Sequence, residues 1–273
     1  MPPRLFPPRL RASVKDLATK AKAVMPLPVR RTIGRAGSFF GDSLKYPDMA
    51  LSLRNLARLG FRPRFIVDVG AYQGEWTQLC RAAFPETPVL MVEAQPGKME
   101  GLRAIAGALG GDVQVANALL GPEDGVEVVF QEMETGSSVF PESSPRERQS
   151  RTMPTTRLDS LLKKTGAPPV DFLKLDVQGY ELEVLKGGAQ ALGQAEVVLL
   201  EVSLMPVNAG APPFEAFITF LDQAGFRLFD LCGEGRRRDG VLWQMDLMFL
   251  RKGSPLTPKP IIDHTNWGSG GFY

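Results

Sequence analysis

Carboxylates and glycines that follow apolar runs are the residues of this 273-residue chain that could do chemistry. The clearest case is Phe65-Ile66-Val67-Asp68-Val69-Gly70-Ala71-Tyr72-Gln73-Gly74-Glu75-Trp76-Thr77. An apolar run reaches an acid, then a small glycine loop, then a helix start. Glycine lets the backbone turn sharply and approach a ligand closely. The free N–H groups of the first helical turn favour an anionic ligand group. A dinucleotide loop reads G-x-G-x-x-G, and its middle glycine leaves room for pyrophosphate. Here the spacing is Gly70-x-x-x-Gly74, and Tyr72 stands where that room is needed. Asp68, Gly70, Ala71, Tyr72 and Gly74 are therefore expected to hold a nucleoside-like ligand without a pyrophosphate bridge. S-adenosylmethionine fits, with its methionine carboxylate at the helix start. A plain strand–helix turn is the alternative reading of the same loop.

Glu93 closes the next apolar run, Val89–Val92, roughly twenty residues beyond the loop. Nucleoside-binding βαβ units place an acid there against the ribose hydroxyls, and a carboxylate can accept both hydrogen bonds of a vicinal diol. Further runs end in Asn117, Asp176 and Glu201. In open parallel sheets ligands sit beyond the carboxyl ends of the strands. Asp68, Glu93, Asn117, Asp176 and Glu201 thus outline a crevice for a cationic or hydroxyl-rich ligand. A sulfonium beside carboxylates is electrostatically sensible. Lys174 and Asp176 share one face of their strand, and Asp176 is placed to reach the reacting groups or, alternatively, to cap the helix after Gly179. The one histidine, His264, lies in the tail, so a histidine base or a histidine-rich metal site in the core is excluded. Any proton to be removed falls to Asp176, Glu201, Lys174 or water. Asp176 and Glu201 could also hold Mg²⁺ through oxygen ligands.

These residues need a scaffold, and the pattern supplies one. Helices are expected at 49–59, 75–83, 97–109, 158–164, 180–192 and 214–224. Strands are expected at 65–69, 89–92, 113–116, 126–130, 170–175, 197–202, 226–231 and 247–250. Their alternation predicts a doubly wound α/β sheet. Glu132 to Arg151 is polar and rich in Ser, Pro, Glu and Arg, and is expected to be a long loop. Its part from 134 to 151, with Ser137 and Ser138, is the expected lid.

Composition narrows the class. The net charge is +2, with no polyanion-binding signature, so nucleic acid is not an expected partner. Cys80 and Cys232 are the only cysteines, which argues against a disulfide framework and suits a reducing cytoplasm. No apolar run approaches the ~20 residues of a membrane span. A secretory signal peptide is not expected from the Pro/Arg-rich start. Charge is uneven: residues 1–36 carry nine Lys and Arg against Asp16 alone. A basic amphipathic helix is expected there, within an extension over 1–48, for packing on the main domain or for weak contact with a membrane surface. The core domain is expected over 49–252, and 253–273 reads as a tail.

Taken in order, VDVGAYQGEWT, VEAQP, NALLG, TTRLDSLL, VDFLKLDVQGYELEVLKGG, VVLLEVS and DLMFLRK resemble the FkbM-type S-adenosylmethionine-dependent methyltransferases. The resemblance covers about Phe65 to Lys252. It implies a class I methyltransferase fold, Rossmann-like, with a mainly parallel seven-stranded sheet whose last strand is antiparallel. It also implies that Gly70 and Gly74 line the methionine moiety, Glu93 binds the ribose, Asn117 sits near the adenine and Asp176 faces the transferred methyl. Tyr72 stands where many relatives have Asn, and Gln178 where many have Glu. The expected reaction is O-methylation of a hydroxyl on a sugar, polysaccharide or secondary metabolite, by in-line displacement. The competing readings are a nicotinamide-dependent oxidoreductase and a catalytically silent cofactor-binding module that acts through a partner.

Overall fold

A computed structural model describes residues 47–133, 136–141 and 148–257. The amphipathic extension, His264 and most of the tail lie outside the described residues. The chain divides into two units, Met1–Tyr46 and Pro47–Tyr273, and the elements below belong to the second.

Helix α1 spans Met49–Arg58, and the Asp48 side chain caps it by accepting from the Leu51 N–H at 2.7 Å. Then follow β1 (Ile66–Val69), α2 (Glu75–Ala83), β2 (Val89–Glu93), α3 (Met99–Leu109), β3 (Val113–Asn117), β4 (Leu119–Leu120) and β5 (Glu127–Glu132). After them come β6 (Gln149–Thr156), α4 (Leu158–Thr165), β7 (Phe172–Leu175), α5 (Glu181–Gly187) and α6 (Ala189–Gln194). The chain continues through β8 (Val197–Ser203), α7 (Phe214–Gln223), β9 (Phe226–Arg236) and β10 (Leu242–Arg251).

The main sheet has seven strands in the order β3-β2-β1-β7-β8-β10-β9. Strands β1, β2, β3, β7 and β8 pair in parallel, and β10 runs antiparallel to both β8 and β9. This is the mainly parallel arrangement with an antiparallel last strand that the family resemblance implies. Every residue of β1, β2 and β7 is buried, as expected of strands covered on both faces. Alternate side chains feed two cores. Val67, Val69 and Leu175 pack with Leu161, Leu185 and Phe217 on one side. Ile66, Phe172 and Met248 pack with Leu53, Trp76 and Leu102 on the other.

Three expectations are corrected. The helix expected over 180–192 breaks into α5 and α6 at Gly187-Gly188. A Cβ at Gly187 would collide with the Gly121 carbonyl, and one at Gly188 would meet Leu158 at 2.8 Å, so close approach fixes both glycines. The loop expected to run to Arg151 becomes strand at Gln149, because β6 pairs antiparallel with β5 in a small sheet ordered β4-β6-β5. Strands β9 and β10 extend beyond 226–231 and 247–250, forming a long antiparallel pair. That extension carries Gln244 and Asp246 to the edge where the parallel strands end.

Candidate active site

The β1–α2 loop is shaped by backbone conformation before any side chain acts. Gly70 and Gly74 have φ of +73° and +71°, and Tyr72 is itself left-handed at +46°. The Val92 carbonyl accepts from both Gly70 N–H and Ala71 N–H, at 2.9 and 3.1 Å. Across the loop, Asp176 N–H donates to Val69 O at 3.1 Å. A Cβ at Gly70 would collide with the carbonyl oxygen of Asp176. No side chain caps α2 at Gly74, which leaves its first-turn N–H groups to a ligand or solvent.

Glu93 is buried beside this loop. Its Oε2 accepts from Tyr72 N–H at 2.8 Å and its Oε1 from Gln95 N–H at 2.9 Å. Burial pushes the carboxyl above its ordinary range, against the pull of those two N–H groups and of Lys174. Each oxygen keeps acceptor capacity towards the crevice it lines. Asn117 lies behind it. Its exposed amide donates to the carbonyls of Glu93 and Ala94 at 2.8 and 3.1 Å, and the side chain does not line the crevice. Glu93→Ala should weaken S-adenosylmethionine binding by about 1–3 kcal/mol, because charge-assisted hydrogen bonds to the ribose would be lost. Calorimetry on the folded variant checks this, and unchanged affinity would remove Glu93 from the ribose.

The other acids fall into two groups. Asp68 is fully buried and does not line the crevice. Its Oδ2 accepts from Thr77 Oγ1 at 2.6 Å, and its Oδ1 lies 3.0 Å from Lys174 Nζ. The β1–β7 register sets Asp68 directly opposite Lys174. Lys174 also donates to Gly70 O at 2.9 Å and stands 3.8 Å from Asp176 Oδ2. Burial alone would push its ammonium down, but Asp68 and Asp176 outweigh burial and hold it well above the usual lysine range.

Asp176, Glu201 and Asp246 form the second group, and all three line the crevice. Gln178 Nε2 bridges the first two, donating to Asp176 Oδ1 at 2.9 Å and Glu201 Oε1 at 2.6 Å. Gln178 does this from a left-handed backbone, φ +55°. Its own carbonyl accepts from Ser138 Oγ at 2.9 Å and Asn208 Nδ2 at 2.7 Å. Ser138 thus ties the described part of the expected lid to this wall. Gln244 Nε2 donates to the other oxygen of Glu201. Burial, then the Asp176 and Asp246 charges, raise Glu201 to about 9. Burial and Asp176 raise Asp246 to about 6.

Asp246 and Gln244 are absent from the sequence-based site. The signal was present: an antiparallel last strand delivers its early residues, not its late ones, to the carboxyl edge of the parallel strands. Among the described residues no group of three or more His, Cys, Asp or Glu could hold a metal ion. Gln178 Nε2 stands between Asp176 and Glu201.

The crevice has a volume of about 910 Å³. Trp76, Trp243 and Tyr180 add aromatic surface, and Phe130, Met133 and Met205 add apolar surface. Glycine loop, Glu93 and the acid cluster therefore open into one space. Gly70, Ala71, Tyr72 and Glu93 line this space and Gly74 does not; at Gly70 the Asp176 carbonyl leaves no room for a side chain.

The methyltransferase FkbM domain family matches residues 68–228, more than half of the chain. No curated protein matches it. Among solved structures, one similar chain is the O-methyltransferase TomG from Streptomyces achromogenes, involved in tomaymycin synthesis and in complex with S-adenosylmethionine. It is 15% identical with a TM-score of 0.47, over 78% of this chain and 86% of that one. Another is the magnesium protoporphyrin IX methyltransferase of Synechocystis PCC 6803 with bound S-adenosylmethionine, at 13% identity and TM-score 0.44, over 84% and 86%. A ribosomal RNA methylase from Streptococcus thermophilus is 11% identical with TM-score 0.43, over 74% and 95%.

Proposed function

The chain belongs to the FkbM methyltransferase domain family, and from that premise we propose that it transfers a methyl group from S-adenosylmethionine to a hydroxyl of a sugar, polysaccharide or other secondary metabolite. The observation that carries the hydroxyl reading is the wall of Asp176, Glu201 and Asp246 in the crevice entered by the glycine loop. Carboxylates accept hydrogen bonds from a polyol and repel phosphate, so a glycan or small-molecule acceptor suits this wall and a nucleic acid does not. Trp76 and Trp243 offer apolar faces beside it. Family membership decides against a nicotinamide oxidoreductase.

S-adenosylmethionine, when bound, supplies a methyl already activated by the sulfonium. The protein's part is then mainly positioning. Asp176 faces the reacting methyl and orients the acceptor hydroxyl, with its carboxylate fixed between Lys174 and Gln178. Lys174 serves as a fixed cation rather than a base, since its ammonium is held charged between Asp68 and Asp176. Glu201, held by two amides and raised to about 9 by burial and the neighbouring acids, stays protonated at neutral pH and leaves the charge of the wall to Asp176 and Asp246. The cysteines are free and buried, which fits a cytoplasmic location, and no described helix is long and apolar enough to cross a membrane.

Incubation with radiolabelled methyl donor and cell extract tests the reading. It requires an alkali-stable methyl ether in a glycan or metabolite fraction. Label in RNA alone, or donor binding without turnover on any extract, would sink it and favour in turn a nucleic-acid enzyme or a silent module. Asp176→Asn, which keeps volume but removes charge, should lower turnover by roughly 10²-fold with little change in donor affinity. Near-wild-type turnover with a lowered melting temperature would make Asp176 a structural cap.

A further inference from the structure

We propose that Asp246 is a catalytic residue: its carboxylate receives the proton of the acceptor hydroxyl. The inference rests on the hydroxyl-transfer reading above and goes beyond it in assigning the base.

The assignment follows from what each carboxylate of the wall already holds. Asp176 accepts from Gln178 and leans on Lys174. Both oxygens of Glu201 accept from amides, Gln178 and Gln244. Asp246 lines the same crevice and accepts no hydrogen bond from a described side chain, although it is half-buried. Partly exposed on the crevice, its oxygens are left to water or to a ligand there rather than to an amide or ammonium of the described residues. The fold makes room for it. A Cβ at Gly233, on the neighbouring strand, would collide with Asp246 Oδ2. Register places Asp246 directly opposite Glu201. Its side chain shares a sheet face with Met248, whose core Trp76 completes. Trp76 is nine-tenths buried, lines the crevice, and its indole N–H has no partner among the described residues. Asp246 is thus the carboxylate of the wall that keeps both oxygens uncommitted to any described side chain, and so can accept from a hydroxyl in the crevice.

The balance is simple. The hydroxyl proton passes to Asp246, and the oxygen's electron pair forms the new bond to the methyl carbon as the carbon–sulfur pair leaves with sulfur. The charged and titratable groups facing Asp246 are Glu201 on β8, Lys174 on β7 and Asp176 just after it, and Cys232 on β9. Burial and the Asp176 charge hold its carboxyl near 6, suited to accepting a proton at neutral pH.

Asp246→Asn and Gly233→Ala are the variants; the first removes the charge and the second displaces it. Each is assayed for donor affinity by calorimetry, for labelling of the extract fraction that wild type labels, and for melting temperature against pH. Both should lose roughly 10²-fold or more in turnover while donor affinity stays within about threefold. The acid limb of the wild-type rate profile should vanish in Asp246→Asn and persist, at lower rate, in Asp176→Asn. Melting gives a readout independent of turnover. An acid whose folded pKa is raised contributes stability below its unfolded value and loses it as pH rises through about 6. Above that pH, Asp246→Asn should therefore melt higher than wild type, and in acid the gap should close. A folded Asp246→Asn with wild-type turnover and an unchanged acid limb would overturn the assignment. So would a variant that melts lower than wild type at every pH, which marks a structural carboxylate. Wild type that binds the donor yet labels no hydroxyl compound would instead bring down the reading on which the assignment rests.

Discussion

Gly70→Val should abolish S-adenosylmethionine binding while leaving a soluble, folded protein. Gly70 sits at φ +73°, a region that costs a residue with a side chain of order 1–3 kcal/mol, more so when β-branched. Strain is the lesser problem. The added Cβ would run into the backbone carbonyl of Asp176. That carbonyl cannot swing aside cheaply, because Asp176 N–H is bonded to Val69 O and its side chain to Gln178. The loop must open, and opening it breaks the paired N–H contacts of Gly70 and Ala71 to Val92. Gly74 is the internal control. A Cβ there would meet only the ends of Ile105 and Leu102, at 3.3 to 3.4 Å, so Gly74→Ala should weaken binding without abolishing it. Calorimetry on both variants, with circular dichroism for folding, decides the matter. A folded Gly70→Val with wild-type affinity would falsify the idea that this loop cradles the donor.

The contrast between Gly70 and its surroundings shows where sequence reading reaches. The glycine spacing, and the acids that end β1, β2, β7 and β8, are legible because those strands are buried on both faces and appear as unbroken apolar runs. Strand β6 is hidden for the opposite reason. Its eight residues, Gln149–Thr156, are mostly exposed, include Pro154, and pair through the backbone with β5. Nothing apolar marks them. The break between α5 and α6 depends on Gly121, sixty-odd residues upstream, whose carbonyl packs against Gly187. Local helix pattern carries no trace of that approach.

In the site, the acids themselves could be read, but their partners could not. Asp68 and Glu93 both lie towards the carboxyl ends of their strands, yet Asp68 is sealed by Thr77 and Lys174 whereas Glu93 opens onto the crevice. Only the packing of α2 over β1 separates the two. Asn117 ends its strand as expected, and its side chain turns back to the β2 turn instead of forward to the crevice. Gln178 and Gln244 were not legible as amides that bind Glu201, because three separate segments meet there.

Lys174→Met should destabilise the protein by about 3–5 kcal/mol, the usual consequence of removing one partner from a buried ion pair. Lys174 is 9% exposed at its side chain and Asp68 is 0% exposed. Methionine fills much of the volume, so the loss would be electrostatic more than a loss of packing. Without the ammonium, the fully buried Asp68 carboxylate keeps, among the described residues, the Thr77 hydroxyl alone. Gly70 O would lose its hydrogen bond as well, and Asp176 would lose its nearby cation. Since domains are commonly stable by only ~5–15 kcal/mol, the melting temperature should fall steeply. The double variant Lys174→Met, Asp68→Asn removes both charges and should recover most of that loss, because a buried pair contributes little net stability over a neutral replacement. Denaturant titrations of the two single variants and the double variant complete the cycle. If Lys174→Met melts like wild type, the ammonium is not what holds the carboxylate beneath the loop. If the double variant is no better than the single one, Lys174 acts through Asp176 and the crevice wall instead of through Asp68. The expected pattern, severe in one single variant and relieved in the double, would make Asp68 and Lys174 the support beneath the site, leaving chemistry to the carboxylates above them.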